Sequence, residues 1–188
     1  MDNFLERNLI FLPRYNKELA EKIASLEQLS HNYSLESAES GNAIIYIDGL
    51  PANSTVEPNS EVGNIFMNLP HNEPDNFYIL AGIEVGYLFD CFVANCKGYV
   101  IVFEPWIDSL RVAFELIDFS ASLRKENVFV ITNIQELDNI LAFRRKTDSQ
   151  IHICANKFYE YAYKTEIEQM QAHIDKLNSQ NPEQRAIF

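Results

Sequence analysis

The sequence predicts an α/β protein: a doubly wound, mainly parallel sheet with helices on both faces, an N-terminal helical arm and a C-terminal linker helix. Three observations carry that reading. From Phe77 onward, short unbroken apolar runs alternate with longer amphipathic ones. An unbroken apolar run is what a strand buried on both faces requires, and regular β-α order with short connections belongs to parallel sheets. The 188 residues suit one domain with an appended arm, and 47% hydrophobic with 12% aromatic residues suffice for a core.

Taken in order, residues 2–30 read as helix. Leu5, Leu9, Leu12, Leu19, Ile23, Leu26 and Leu29 recur at helical spacing among Glu and Lys. Pro13 kinks or splits this arm. Residues 30–42 are polar, end in Ser-Gly-Asn, and read as linker or turn. "AIIYIDG" is a strand closed by Gly49 and Pro51. "PANSTVEPNSEVGN", residues 51–64, predicts an irregular excursion or a small hairpin, and Pro70 to Pro74 make a second break.

The alternating region begins with "FYILAG" as its first buried strand, followed by a helix over residues 86–96. "YVIVFEP" is the second strand and "WIDSLRVAFELIDFSASL" an amphipathic helix. "NVFVIT" is the third strand, "IQELDNILAFRR" a helix and "IHICA" the fourth strand. After Tyr159 a charged, mildly amphipathic helix follows, and "NPEQRAIF" reads as a passage toward further polypeptide. The expected division is an arm over 1–42, an α/β domain over 43–157 and a C-terminal helix over 158–188 leading toward another domain.

Composition narrows the function. A net charge of −12 repels phosphate backbones, so nucleic acid is excluded as a partner. Arg144-Arg145-Lys146 is the one short basic run and reads as a solvated helix end. No apolar stretch approaches the ~20 residues that span a bilayer, and the N-terminus lacks a basic region with a small-residue cleavage site. The expected location is the cytoplasm, with no membrane partner. Cys91, Cys96 and Cys154 are odd in number and form no C-x-x-C pair, which predicts buried free thiols.

The stretch with most chemistry is "NFYILAGIEVGYLFDCF", residues 76–92, a strand, a glycine turn and a helix start. Gly82 can take positive φ, Gly86 permits close helix–strand packing, and N–H groups at a helix start favour an anion. Glu104 ends the second strand 22 residues after Gly82, close to the ~20-residue offset at which an acidic residue meets a ribose hydroxyl. Gly82, Glu84, Gly86 and Glu104 are therefore the candidate cofactor-binding residues, for a nucleotide or S-adenosylmethionine. Glu84 opposes a phosphate, whereas the positive sulfonium and amino groups of S-adenosylmethionine suffer less. In the alternative the glycines serve a tight turn, Glu84 faces water, and Glu104 is a helix N-terminal carboxylate ahead of Pro105.

Other candidates are plainer. Asp48-Gly49 reads as turn chemistry, and His152, in a buried strand, as a hydrogen-bonded structural histidine. His31, His71 and His173 never come in metal-ligand spacing, and no G-x-S-x-G elbow supplies a nucleophile. "ANKFYEYAY", residues 155–163, offers aromatics either to line a ring-shaped ligand or to dock a helix on a neighbouring domain.

In this order, "NFYILAGIEVGYLFDCF", "VIVFEPWIDSLRVAFELIDFS", "VFVIT" and "IHICANKFYEYAY" resemble the N-terminal region of motility-associated factor (Maf) proteins, the flagellin glycosyltransferases of polar-flagellated bacteria. The likeness runs from about Phe4 to Leu177. It is most specific from the glycine turn through Glu104-Pro105 and in "FELIDF", and "GLP" at Gly49–Pro51 also fits. The resemblance implies a Rossmann-like segment ahead of a sialyltransferase-like domain that transfers a sialic-acid-like nonulosonic sugar to flagellin Ser or Thr. Gly82 and Gly86 match the family's turn, and Glu84 stands where a glycine often occurs. No catalytic residue carries over. The implied role is acceptor binding or domain packing in bacterial flagellin glycosylation and motility. It requires no cofactor, and the partners are flagellin and the chain's own downstream catalytic domain. The competing reading is an S-adenosylmethionine-dependent methyltransferase-like domain. Against it, Leu80 stands where methyltransferases carry an acid, and Asn156-Lys157 offers no catalytic motif after the fourth strand. A third is a nucleotide-sugar site with Glu104 on a ribose.

Overall fold

A computed structural model describes residues 3–69 and 72–179. Pro70 and His71, where the second break was expected, and "NPEQRAIF" lie outside the described residues. The arm is not one helix. Asn3 caps α1 (Phe4–Leu9) by accepting from the Glu6 N–H at 3.2 Å, and a 3-10 turn over Leu12–Arg14 follows. The side chain of Asn16 then caps α2 (Lys17–Ala24) by accepting from the Leu19 N–H at 3.0 Å. Pro13 is the reason for the split: it lacks the N–H an uninterrupted helix would use. The arm is also core, because Leu12, Leu19, Ala20 and Ile23 are buried.

Two expectations between residues 30 and 68 change. The "linker" contains β1 (Tyr33–Ser37), paired antiparallel with β2 (Ala43–Ile47), which pairs in turn with the two-residue β3 (Leu50–Pro51). After Tyr33 every β1 residue is exposed, so no apolar alternation marks it in the sequence. The "excursion" contains α3 (Pro58–Met67). Glu57 caps it by accepting from the Asn59 N–H at 3.1 Å. Pro58 is a first-turn proline, where its missing N–H costs nothing.

The alternating region follows as expected: β4 (Phe77–Ala81), α4 (Tyr87–Asn95), β5 (Tyr99–Phe103), α5 (Ile107–Leu116), α6 (Ser120–Leu123), β6 (Val128–Ile131), α7 (Ile134–Arg144), β7 (Ile151–Cys154), α8 (Lys157–Ala162) and α9 (Lys164–Ser179). The helix expected over 106–123 breaks after Leu116, and the last one breaks at Tyr163. The four strands are parallel in the order β6-β5-β4-β7, with Ile79 of β4 opposite Ile101 on one side and Ile153 on the other. This is the doubly wound α/β arrangement the alternation predicts.

The period of two explains the two faces. Tyr78, Leu80, Val100, Val102, Val128 and Val130 join Leu88, Phe92, Leu110 and Phe114 in one core, shared with the arm. Phe77, Ile79, Ile101, Phe103, Phe129 and Ile131 join Leu137 and Leu141 of α7 and Met170 and Ile174 of α9 in the other. The arm also covers the sheet's β6 edge. Tyr15 Oη accepts from the Val130 N–H at 2.9 Å, and the Arg14 guanidinium donates to Arg124 O at 2.6 Å and Val128 O at 3.2 Å. An edge whose polar groups are occupied cannot template another strand.

Asn8 ties arm to core. Its side chain is fully buried, donates to Phe114 O at 3.1 Å and Ile117 O at 2.7 Å, and accepts from the Phe119 N–H at 2.7 Å. Asn8→Ala strands buried backbone groups at the break between α5 and α6. A loss of about 2 kcal/mol of unfolding free energy is expected in denaturant titration; a loss below about 0.5 kcal/mol would mean the backbone finds other partners.

Candidate functional site

Because β4 lies between β5 and β7, the chain reverses direction of travel across the sheet at β4. The crevice beyond the carboxyl ends of β4 and β7 is the topological switch point, where open α/β sheets bind ligands. The loop after β4 and the loop after β7 meet there. Gly82, at φ +83°, leaves β4 directly, Glu84 takes a left-handed φ of +49°, and Gly86 precedes α4.

What fills the crevice is protein. A Cβ on Gly82 would sit 2.2 Å from ring atoms of Tyr159, so the phenol of α8 is packed directly against the glycine. A Cβ on Gly86 would meet the Phe119 ring at 2.4 Å. Tyr159 and Tyr163 are both fully buried, and Tyr163 stands 4.8 Å from the Trp106 ring, edge to face. Of the aromatic run in "ANKFYEYAY", Tyr159 and Tyr163 thus dock inside their own domain, beside the glycine turn, while Tyr161 is 79% exposed.

Glu84 does not face water, contrary to the alternative drawn from sequence: it is 1% exposed. One carboxyl oxygen accepts from Asn156 Nδ2 at 2.7 Å and the other from Asn53 Nδ2. Asn156 Nδ2 also donates to Ala52 O at 2.7 Å, and its Oδ1 caps α8 by accepting from the Tyr159 N–H at 3.1 Å. Burial pushes the Glu84 carboxyl up to about 8, the amides restrain the rise, and the carboxylates of Glu61 and Glu104 add to it.

Glu104 is fully buried one strand away. It accepts from the Ile83 N–H at 3.3 Å, from the Trp106 N–H at 3.2 Å and from the Tyr163 hydroxyl. Its place next to the Trp106 N–H fits the helix-start carboxylate reading, and the bond to Ile83 fixes it to the glycine turn. Burial raises it to about 7 against the lowering effect of Tyr163 and the N–H groups. Carboxyls in this range suit proton transfer, but neither is open to solvent.

The structure therefore brings Gly82, Glu84 and Glu104 into one buried cluster and turns Gly86 toward Phe119. Sequence reasoning missed Asn53, Asn156, Tyr159 and Tyr163 as their partners. For the last three the signal was present in the polar-aromatic run after β7; for Asn53, in a loop read as irregular, there was none.

Above this cluster opens a groove of about 950 Å³ between residues 50–57, α3 and the start of α8, with Asn53 and Asn156 among its lining. Elsewhere, Asp48 Oδ1 accepts from the Asn32 N–H at 2.9 Å, a turn role. His152 stacks on Tyr78 at 5.5 Å, and His173 meets Asp138 at 2.6 Å. His31 Nδ1 lies 3.0 Å from Asp108 Oδ2, and its ring stacks on Trp106 at 4.1 Å. Of the three free thiols, Cys154 is buried and Cys91 and Cys96 are half-buried. Among the described residues no group of His, Cys, Asp and Glu is placed to hold a metal, and no helix is long and apolar enough to cross a membrane.

Comparison with known proteins gives one informative likeness. The structure of the Maf glycosyltransferase from Magnetospirillum magneticum AMB-1 superposes on 91% of this chain with a TM-score of 0.53 and 14% sequence identity. What the two share is a fold. This chain covers 35% of that protein's length. No family model matches the chain, and no curated protein matches it by sequence. The Maf-like fold agrees with the resemblance drawn from the glycine turn and the strand motifs.

Proposed function

We propose that this chain is the N-terminal, Rossmann-like accessory domain of a Maf-type flagellin glycosyltransferase. It acts in the cytoplasm by holding the acceptor or packing against the catalytic domain, and it performs no chemistry itself. The observation that carries the reading is the Tyr159 ring packed against Gly82. A nucleotide or methyl donor would need its backbone-hugging portion where that ring sits. The likeness in fold to a Maf glycosyltransferase supports the family assignment. On this reading the transfer of a nonulosonic sugar belongs to a downstream catalytic domain, and Gly82, Glu84, Gly86 and Glu104 are scaffold.

Calorimetric titration tests it. Neither a CMP-activated nonulosonic acid nor S-adenosylmethionine should release binding heat with this chain, whereas flagellin should be retained by it or by the complete enzyme that carries it. Stoichiometric donor binding that Glu104→Ala abolishes would overturn the accessory role. In the complete enzyme, removal of this segment should abolish flagellin glycosylation and leave donor hydrolysis intact; loss of both would place chemistry here.

A further inference from the structure

We infer that β1 is a self-association edge, on which a second copy of this chain adds its own β1, antiparallel, about a two-fold axis through Leu35. This goes beyond the accessory role and does not depend on it.

β1 is an end strand of the sheet β1-β2-β3. The residues that flank it fix which of its backbone groups face outward. The Asp48 N–H donates to Asn32 O at 2.8 Å and the Ala38 N–H to Asn42 O at 2.8 Å, so the even-numbered residues between them turn their backbone toward β2. Ile45, opposite Leu35, accepts from the Ala52 N–H on the β3 side at 2.9 Å. Tyr33, Leu35 and Ser37 therefore point their N–H and C=O groups away from the sheet, and among the described residues nothing bonds to them. Two other edges are blunted. Tyr15 and Arg14 occupy β6, and β3 is two residues long and ends in Pro51. β1 has five paired residues with no proline, lysine or bulge. A bare edge of this kind is a template for a further strand.

The side chains select which strand fits. Leu35 stands on the same face as Ile45 and Ile47, because directly paired residues share a face. Ile45 and Ile47 are buried with Val85 and Val112, yet Leu35 is 52% exposed, so the apolar face runs past the last strand. A second β1 brings a second Leu35 to that spot. In the register centred there, Leu35 faces its own copy, Tyr33 faces Ser37, and Ser34 faces Glu36. Each outward residue then sits in a pair that exchanges both hydrogen bonds. Glu36, the one charged residue of β1, meets a serine instead of a like charge. A shift by two residues sets Glu36 against Glu36 in one direction and leaves Ser37 beyond the end of β1 in the other. The two-fold arrangement also closes, so association stops at the dimer. This match of the strand to itself commits the edge to a second copy. Two five-residue strands bury little area, which sets a weak dissociation constant of about 0.01–1 mM.

Sedimentation equilibrium of the chain up to about 1 mM reads the association. Leu35→Lys, which places two ammonium groups on the axis, should weaken it about tenfold or more and leave the unfolding midpoint unchanged. The register is tested separately by Ser34→Cys and Glu36→Cys, both at exposed positions. Mixed and mildly oxidised, the two variants should join through an intermolecular 34–36 disulfide, because such opposed residues have Cα atoms about 4.5 Å apart. Either variant alone should cross-link about tenfold more slowly, since its own thiols lie on a diagonal. Peptide mapping assigns the bond, and wild-type protein treated alike accounts for Cys91, Cys96 and Cys154. A chain that stays monomeric to about 1 mM, association indifferent to Leu35→Lys, or cross-linking no faster in the mixture than in the single variants would each overturn the inference.

Discussion

Gly82→Ala is expected to lower the unfolding free energy by about 3 kcal/mol or more, while Gly41→Ala lowers it by about 1–2 kcal/mol. Both glycines hold left-handed φ, +83° and +85°, so each pays the conformational term. They differ in their surroundings. A Cβ at position 41 meets nothing within 4 Å, whereas one at 82 lands 2.2 Å from Tyr159 Cε2 and Cζ. The ring has no room to retreat, since it is fully buried with Tyr163 at 4.8 Å and Phe158 at 5.0 Å. Paired denaturant titrations therefore isolate the ring contact as the difference between the two variants. Equal losses would mean that Tyr159 does not occupy the crevice, and the case against a cofactor there would fall with it.

Glu84→Gln is expected to stabilise the protein at pH 8 and to flatten its pH dependence. In the unfolded chain the Glu84 carboxyl titrates near 4.5; in the folded protein burial raises it to about 8. Below about pH 4.5 both states hold the proton and its contribution is whole. As pH rises, the unfolded chain releases the proton first, so stability falls continuously until the folded group also titrates. The linkage slope is about 1.4 kcal/mol per pH unit, giving a loss of about 3–4 kcal/mol between pH 5 and 8 from this residue. Glu104, raised to about 7, contributes a loss of the same sign over a narrower window. Glutamine carries no proton to lose. Its new N–H₂ would face an amide donor, and turning the Asn53 amide end for end presents Oδ1 instead. Thermal or chemical unfolding from pH 5 to pH 8 reads the result, and a variant that keeps the wild-type slope would show Glu84 ionised throughout.

The two predictions concern residues whose types were visible in the sequence and whose surroundings were not. Unbroken runs such as Phe77–Ala81 announced buried parallel strands, and a helical period announced α4, α5 and α7, because those signals are local and repeat within a dozen residues. The glycines at 82 and 86 announced a tight strand–helix turn for the same reason. Local polarity misled where burial was decided elsewhere. β1 hides in Tyr33–Ser37 because it is an exposed edge held by its neighbour's backbone. α3 hides in a stretch whose prolines and polar residues read as irregular, and the cap of Glu57 shows Pro58 to be a start.

The candidate site separates the two sources of information most sharply. The sequence alone determined that an acid would stand between two glycines at the end of the first strand of the parallel sheet. Only the tertiary structure decided that this acid would be buried, because the groups that seal it come from far along the chain: Asn53 lies 31 residues before Glu84 and Asn156 lies 72 after it. Tyr163 reaches Glu104 across 59 residues. Secondary structure answers to neighbours along the chain, whereas solvation answers to neighbours in space, and the strand order β6-β5-β4-β7 chose those neighbours.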